Sequence, residues 1–183
     1  TYFFNYFWVF CEGNMVENDY LCARIMAITA LSILIPTYND LCVNLVGALR
    51  QQTEAAGLTY EILVADDGST DPDVVNKNSE INRWEHCQLL IQPHNIGRAA
   101  IRNFLAQQAR YDLLLFIDSD MTLVRTDYIS KYISMTDAAV IDGGVTIGGD
   151  ADALKGNLRY RYEKAAEHEH TVEIRQQNPY RDF

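Results

Sequence analysis

Four short apolar runs, separated by stretches with helical spacing, constrain the fold of this chain more than any other feature. The runs are LSILIP, YEILVA, CQLLIQ and DLLLFI, and each is typical of a buried strand. Strands that alternate with helices predict a mainly parallel α/β sheet with helices on both faces. The almost continuous apolar character agrees, because both sides of such strands are covered.

The remaining elements are predicted from turn residues and helical spacing. Pro36 is expected to stop the first strand. A helix is predicted over residues 40–56, with Leu41 on its apolar face and Gly57 at its end. Further elements are predicted as helices over 73–83, 98–110, 126–136 and 152–177, and as a strand in AAVIDGGV (138–145).

Composition excludes several classes of function. The chain has 183 residues, enough for one domain with a core, and a formal net charge of -10. Such a charge disfavours nucleic acid and anionic membranes as partners. No apolar run is long enough to span a bilayer. The four cysteines form no CxxC pair, which predicts reduced thiols in a cytoplasmic protein.

The first 25 residues show no helical or strand period, so we treat them as an extension of uncertain status. They are either translated flanking sequence ahead of Met26 or a genuine extension whose aromatic residues pack on the domain. The domain itself is expected to occupy residues 26–183.

Polar segments follow three of the four predicted strands. PTYND follows the first strand, DDGST the second and DSD the fourth. In open α/β sheets, ligands bind beyond the carboxyl ends of the strands. We therefore expect these three loops to converge on one binding rim.

The segment FIDSD is the clearest candidate for a metal site. Residues two apart in an extended segment point to the same side, so Asp118 and Asp120 face one site while Ser119 turns away. Two carboxylates in one partly buried site repel, and a divalent cation relieves this repulsion. Their hard oxygen ligands suit Mg²⁺ or Mn²⁺. The alternative is a pair of solvated loop aspartates.

The other rim residues have weaker signals. Either Asp66 or Asp67 is suited to accept hydrogen bonds from a base or ribose, while the other serves the tight turn. Tyr38 is a stacking surface for a base, or a tyrosine partly buried at a strand end. Arg98 and Arg102 lie one helical turn apart and would meet a phosphate, pair with nearby aspartates or remain solvated.

Taken in order, the segments LSILIPTYND, EILVADDGSTD, NIGRAAIRN and LLLFIDSD resemble the family 2 glycosyltransferases, over about residues 30 to 147. The resemblance implies a Rossmann-like GT-A fold. It also implies inverting, metal-dependent sugar transfer from a nucleotide-diphosphate donor to an acceptor hydroxyl. The acceptor would be a glycan, a lipid-linked sugar or a protein.

The resemblance also implies roles for individual residues. Pro36 and Tyr38 would line the base pocket, and Asp67 would contact the base. Asp120 would coordinate the metal that bridges the diphosphate, with Asp118 approaching the ribose or the metal. The remaining residues that would border the nucleotide are Gly97, Arg98 and Arg102.

One expected part of the family pattern is absent from this sequence. The general base of the family usually lies well beyond the DxD motif in an acidic segment, and no convincing Glu-Asp pair follows Asp120. We therefore expect the chain to be incomplete at its C-terminus, with the base beyond Phe183. The missing base leaves open a donor-binding fragment without turnover. A receiver-type signalling domain, which is also doubly wound, is a separate alternative.

Overall fold

The computed structural model describes residues 29–135, 141, 148 and 150–166. Within these residues four strands are formed: β1 (Ala30–Thr37), β2 (Thr59–Asp66), β3 (Cys87–Ile91) and β4 (Leu114–Phe116). The helices are α1 (Val43–Ala55), α2 (Pro72–Asn78), α3 (Arg98–Gln108), α4 (Tyr128–Ile133), α5 (Ala151–Leu154) and α6 (Leu158–Ala166). A 3₁₀ turn, Ser79–Arg83, follows α2 directly.

The four strands form one parallel sheet in the order β3-β2-β1-β4. The chain therefore winds outward from β1 to β3 and returns to the other side of β1 for β4. This confirms the predicted mainly parallel α/β sheet, and the order is that of the Rossmann-like doubly wound class. A receiver-type fold places its third strand next to the first, so this alternative is excluded.

Apolar side chains cover both faces of the sheet, because odd and even strand positions point to opposite sides. Helix α1 packs on one face through Leu45, Val46 and Leu49, together with Ile129 of α4. Helix α3 packs on the other face through Ile101 and Leu105. Helices therefore lie on both faces, as predicted.

The prediction that Pro36 stops the first strand is wrong, because β1 continues to Thr37. Even-numbered residues of β1 turn their backbone groups toward β4, as the bond from the Ser32 N–H to the Leu113 carbonyl shows. The last paired residue of β4 lies opposite Leu34. The nitrogen of Pro36 therefore faces a position where no ladder bond is required.

Two predicted helices also differ from the structure. Helix α1 begins at Val43 rather than at residue 40, and Leu41 precedes it with its side chain exposed. The predicted single helix over 152–177 is wrong, because α5 and α6 are separate helices. Asn157 interrupts them, since its Oδ1 accepts a hydrogen bond from the Tyr160 N–H, 3.1 Å away, and so caps α6.

Several sequence-based expectations fall outside the described residues. These are the extension over residues 1–25, the strand over 138–145 apart from Ile141, and the helical continuation over 167–177. Among the helices that the structure describes, none has the length and hydropathy needed to cross a bilayer.

Gly68 marks the closest approach between two loops at the carboxyl end of the sheet. Its φ is 74°, and a Cβ atom added there would lie 2.6 Å from the His94 carbonyl carbon and 2.7 Å from the Asn95 nitrogen. Gly57 has a similar φ of 67°, but a Cβ atom there would meet nothing within 4 Å. Substitutions at Gly68 and Gly57 therefore distinguish the cost of a positive φ, which both share, from the cost of a steric clash, which only Gly68 has.

We expect Gly68→Ala to lower the free energy of unfolding by about 1–3 kcal/mol more than Gly57→Ala does, because only Gly68 adds overpacking to the unfavourable positive φ. Urea denaturation of the two variants and the wild type measures the difference. Equal losses in both variants would show that the two loops at Gly68 are not closely packed.

Candidate functional site

The site lies beyond the carboxyl ends of β1, β2 and β4. Strand β1 is paired with β2 on one side and β4 on the other, so the direction in which successive strands are added to the sheet reverses at β1. A reversal of this kind opens a crevice between two loops, which is where ligands bind in open α/β sheets. The loops that follow these three strands carry four of the residues singled out from the sequence: Tyr38, Asp67, Asp118 and Asp120.

Asn39 fastens the loop after β1 to the turn after β2. Its backbone N–H donates to Ser69 Oγ (2.8 Å), and its Oδ1 accepts from the N–H groups of Thr70 (2.8 Å) and Asp71 (3.0 Å). Its Nδ2 also donates to Thr70 Oγ1 at 3.1 Å. Asn39 has a φ of 52°, a conformation that asparagine adopts more readily than most residues. The two loops therefore have a fixed relative position.

The buried side chain of Asn78 also holds the loop after β1 through hydrogen bonds. The Asp40 carbonyl accepts from Asn78 Nδ2 (2.9 Å) and from Thr37 Oγ1 (3.1 Å). Asn78 Oδ1 accepts from the Cys42 N–H at 3.1 Å, and Asn78 is fully buried. The Tyr38 ring is nevertheless 47% exposed. Tyr38 is therefore an open aromatic surface on a rigid backbone.

Asp66 serves the turn after β2 with one oxygen only. Its Oδ1 accepts from the Ser69 N–H at 2.7 Å, which is the turn role that the sequence predicted for one of the two aspartates. Its side chain is fully buried, and its Oδ2 has no hydrogen-bond partner in the described part of the chain. A buried carboxylate oxygen without a donor is costly, so this atom is a candidate for a ligand contact.

Asp67 uses both carboxylate oxygens to hold the loop that precedes α3. Its Oδ1 accepts from the Ile96 N–H (2.7 Å) and its Oδ2 from the Gly97 N–H (3.0 Å). Gly97 is the N-cap of α3 and has no side chain with which to cap the helix. Asp67 is only 5% exposed, and from the turn after β2 it holds the N-cap residue and the residue before it, at the end of the helix where negative charge is favourable.

Arg102 and Asp118 form an ion pair across the rim. Arg102 lies in α3, and its Nη2 donates to Asp118 Oδ1, while its Nη1 donates to the Arg98 carbonyl at 3.0 Å. Both side chains of the pair are about one third exposed, at 33% and 35%. This confirms one of the options foreseen for the two arginines, that Arg102 pairs with a nearby aspartate. Arg98 opens α3 with its side chain exposed.

Asp120 has no ion-pair partner of this kind in the part of the chain that the structure describes. Partial burial raises the pKa of Asp120, and the negative charges of Asp118 and Asp40 raise it further. Asp40 Oδ2 is itself buried without a hydrogen-bond partner in the described part of the chain. A cation placed at Asp120 would relieve both effects.

The carboxylates of Asp118 and Asp120 suit a metal ion that takes most of its ligands from water and substrate. Among the described residues, no three His, Cys, Asp or Glu side chains come together as a metal-binding group. Mg²⁺ commonly binds through one or two carboxylates, and waters and substrate phosphates complete its shell. Asp118 and Asp120 therefore fit this type of site rather than a cage built by the protein alone.

The two cysteines that the structure describes, Cys42 and Cys87, are not suited to nucleophilic chemistry. Burial raises the pKa of Cys42 to about 12 and that of Cys87 to about 11. Thiols with such pKa values are protonated at neutral pH and are poor nucleophiles. Both cysteines are free thiols.

The structure brings some of the residues singled out from the sequence together and adds others. Asp67 contacts Gly97, and Arg102 contacts Asp118, whereas Pro36 lies in β1 and is partly exposed. Sequence reasoning missed three residues of the rim: Asn39, Asp40 and Asn78. The tolerance of asparagine for positive φ, at Asn39 just after the end of β1, was the one local signal available.

Comparison with known sequences identifies the family. The profile described as glycosyl transferase family 2 matches residues 32–180, which is most of the chain. An uncharacterized glycosyltransferase of Haemophilus influenzae is 30% identical over 112 residues, or 60% of this chain and 43% of the relative. Dolichyl-phosphate beta-glucosyltransferase ALG5D of Trichomonas vaginalis is 27% identical over 133 residues, or 66% of this chain and 41% of the relative.

The poly(ribitol-phosphate) beta-N-acetylglucosaminyltransferase TarS of Staphylococcus aureus is 30% identical over 113 residues. That match covers 61% of this chain and 18% of TarS. The chain therefore spans less than half the length of these three relatives.

Among solved structures, TarS 1-349 in complex with UDP-GlcNAc is similar over 58% of this chain and 30% of that chain, with a TM-score of 0.47 and 24% identity. The mannosyltransferase PcManGT of Pyrobaculum calidifontis, in complex with GDP-Man and Mn²⁺, has a TM-score of 0.44 and 18% identity. This second similarity covers 59% of this chain and 32% of that chain. The parallel sheet and its strand order agree with the GT-A fold implied by the sequence resemblance. Because the family profile extends over most of its length, the chain belongs to glycosyl transferase family 2.

Proposed function

We propose that this chain holds the donor site of a metal-dependent, inverting glycosyltransferase that uses a nucleotide-diphosphate sugar. The observation that carries the proposal is the division of charge at the rim: Arg102 pairs with Asp118, while Asp120 has no ion-pair partner among the described residues. A site with one uncompensated carboxylate beside an ion pair is suited to a cation that brings its own anionic ligand.

Asp120 is the proposed direct metal ligand, and Asp118 is the second carboxylate of the site. Mg²⁺ or Mn²⁺ bound here would supply Lewis-acid stabilisation of the negative charge on a departing diphosphate. Arg102 holds Asp118 in place through their ion pair, so the two carboxylates keep a fixed spacing. The raised pKa of Asp120 supports this assignment, because the fold itself leaves that charge poorly compensated.

The base of the nucleotide is proposed to lie against the loops that follow β1 and β2. Tyr38 offers an exposed ring for stacking, and Pro36 precedes it at the strand end. Asp67 is proposed to contact the base, since each of its oxygens has a second lone pair besides the one used by the backbone. Gly97 and Arg98 border this side because they open α3, next to Asp67.

The acceptor and the general base are the least constrained parts of the proposal. Inverting transfer needs a carboxylate that removes the acceptor proton, and the described residues offer no assigned candidate for that role. The named activities of ALG5D and TarS are sugar transfers to different acceptors. The acceptor is therefore proposed only as a glycan, a lipid-linked sugar or a protein.

A cytoplasmic location is part of the proposal and is supported by the free thiols of Cys42 and Cys87.

A second candidate function is donor binding without turnover. It is favoured by the lack of an assigned base among the described residues. Incubation of the 183-residue chain with UDP- and GDP-sugars and Mn²⁺, with and without glycan acceptors, separates the two functions. Release of nucleoside diphosphate above the rate of a mock sample supports turnover, whereas tight donor binding without release supports the second candidate.

We expect UDP or GDP to bind in the presence of Mn²⁺ and to bind at least about tenfold more weakly after Asp120→Asn, because that variant loses one charged metal ligand. Isothermal titration calorimetry measures the affinity with Mn²⁺ and with EDTA. Asp112→Asn is the matched control, since Asp112 is an exposed aspartate before β4, at the opposite end of the strand. Binding that is unaffected by both EDTA and Asp120→Asn would contradict the proposed metal site.

We expect Tyr38→Ala to weaken nucleotide binding by about tenfold and Tyr38→Phe to leave it nearly unchanged, because stacking depends on the aromatic ring rather than on the hydroxyl. The same calorimetric titration measures both variants. A loss of affinity in Tyr38→Phe as large as that in Tyr38→Ala would instead show that the hydroxyl group makes the contact.

We expect Asp120→Asn to raise the metal-free melting temperature at about pH 7 by roughly 2 °C, although it weakens ligand binding. The pKa of Asp120 is raised in the folded state, so its carboxylate opposes folding once the pH rises above that pKa. The difference should shrink at about pH 3, where wild-type Asp120 is protonated. Asp118→Asn should act in the opposite direction at neutral pH, because it removes the partner of Arg102. Differential scanning calorimetry with EDTA measures all three proteins.

A further inference from the structure

We propose that Asp67 is a positioning residue for the metal-binding carboxylates and that it acts through helix α3. The inference rests on the proposed function and goes beyond it, because it gives Asp67 a role in binding the diphosphate, away from the base. Three consecutive contacts carry it: Asp67 with the start of α3, the turn after β2 with its neighbours, and α3 with Asp118.

The first contact fixes the start of α3. The two oxygens of Asp67 accept from the N–H groups of Ile96 and Gly97, at 2.7 and 3.0 Å. These bonds link a carboxylate to the N-terminal end of an 11-residue helix, where negative charge is favourable. The helix has no side-chain cap of its own, and Asp67 instead fixes the position of the N-cap residue Gly97.

The second set of contacts prevents Asp67 itself from moving. Its backbone N–H donates to the Thr37 carbonyl at 2.9 Å, which continues the pairing of β1 and β2 beyond the strand ends. The next residue, Gly68, packs directly against the backbone of His94 and Asn95. The turn after β2 and the loop before α3 are therefore one packed unit.

The third contact transmits the position of α3 to the metal site. Ile101 and Leu105 bury one side of α3 in the core, at 2% and 0% exposure. Arg102 follows Ile101 on the same turn and donates to Asp118. A shift in the start of α3 would therefore move the guanidinium that holds Asp118, and the spacing between Asp118 and Asp120 would change with it.

A positioning role and a base contact predict different ligand dependence. A contact with the base affects only ligands that contain a base. A positioning role through Arg102 also affects a diphosphate that has neither base nor sugar. Methylenediphosphonate with Mn²⁺ is such a probe, and UDP or GDP with Mn²⁺ serves for comparison.

The experiment measures the affinity of the 183-residue chain for these ligands by calorimetry, in the wild type, Asp67→Asn and Asp73→Asn. We expect Asp67→Asn to weaken methylenediphosphonate and nucleotide binding alike, each by about tenfold, because the two N–H groups bind different oxygens of Asp67 and the amide places an NH₂ donor at one of these positions. Asp73→Asn removes an exposed carboxylate of the same segment and should change neither affinity. Circular dichroism confirms that each variant is folded.

A double substitution tests whether Asp67 acts through Arg102. In an Arg102→Gln background, Asp67→Asn should produce little further loss of methylenediphosphonate affinity, because the transmitting ion pair is already absent. If Asp67→Asn does not fold, Asp67→Ser replaces it in both measurements, since serine avoids setting an amide NH₂ against a backbone N–H.

The outcomes separate this inference from the proposed function. A loss confined to the nucleotide, with methylenediphosphonate binding intact, would overturn the positioning role and leave a base contact. Full additivity of the two substitutions would also overturn it. If the wild type binds none of these ligands with Mn²⁺, the proposed function fails, and the inference that rests on it fails too.

Discussion

The parallel pairing of β1 on both sides is the constraint on which the rest of this structure depends. Because β2 and β4 flank β1 in the same direction, the segments that leave all three strands emerge at one edge of the sheet. Residues far apart in the chain, such as Leu34 and Ile117, therefore become hydrogen-bonded neighbours. Each later feature of the site, from the Asn39 bonds to the Arg102–Asp118 pair, needs this arrangement first.

The rim combines a rigid polar frame with a local excess of negative charge. Backbone N–H groups, two asparagines and a serine hold the loops after β1 and β2, so these loops need no ligand to become ordered. Against that frame, Arg102 compensates only one of the carboxylates after β4. Proteins commonly accept such unfavourable electrostatics at binding sites, where the ligand supplies the missing charge.

The prediction from sequence succeeded where the signal was local and failed where a neighbouring element decided the outcome. The strands were predictable, because apolar runs such as DLLLFI have few structural alternatives to a buried strand in a chain of this composition. Pro36 was misjudged, since the cost of its missing N–H depends on where β4 stops pairing with β1. The helix over 152–177 was also misjudged, because the charged residues there have good helix propensity and the cap at Asn157 was overlooked.

The sequence by itself determined the fold class, the order of the acidic segments and their placement at the carboxyl end of a parallel sheet. These follow from periodicity and connectivity, which are properties of the chain. Only the tertiary structure decided the separate roles of three carboxylates: Asp67 holds the start of α3, Asp118 pairs with Arg102, and Asp120 has no ion-pair partner among the described residues. The first two roles depend on contacts between residues 16 to 30 positions apart in the chain, and no local pattern encodes such contacts.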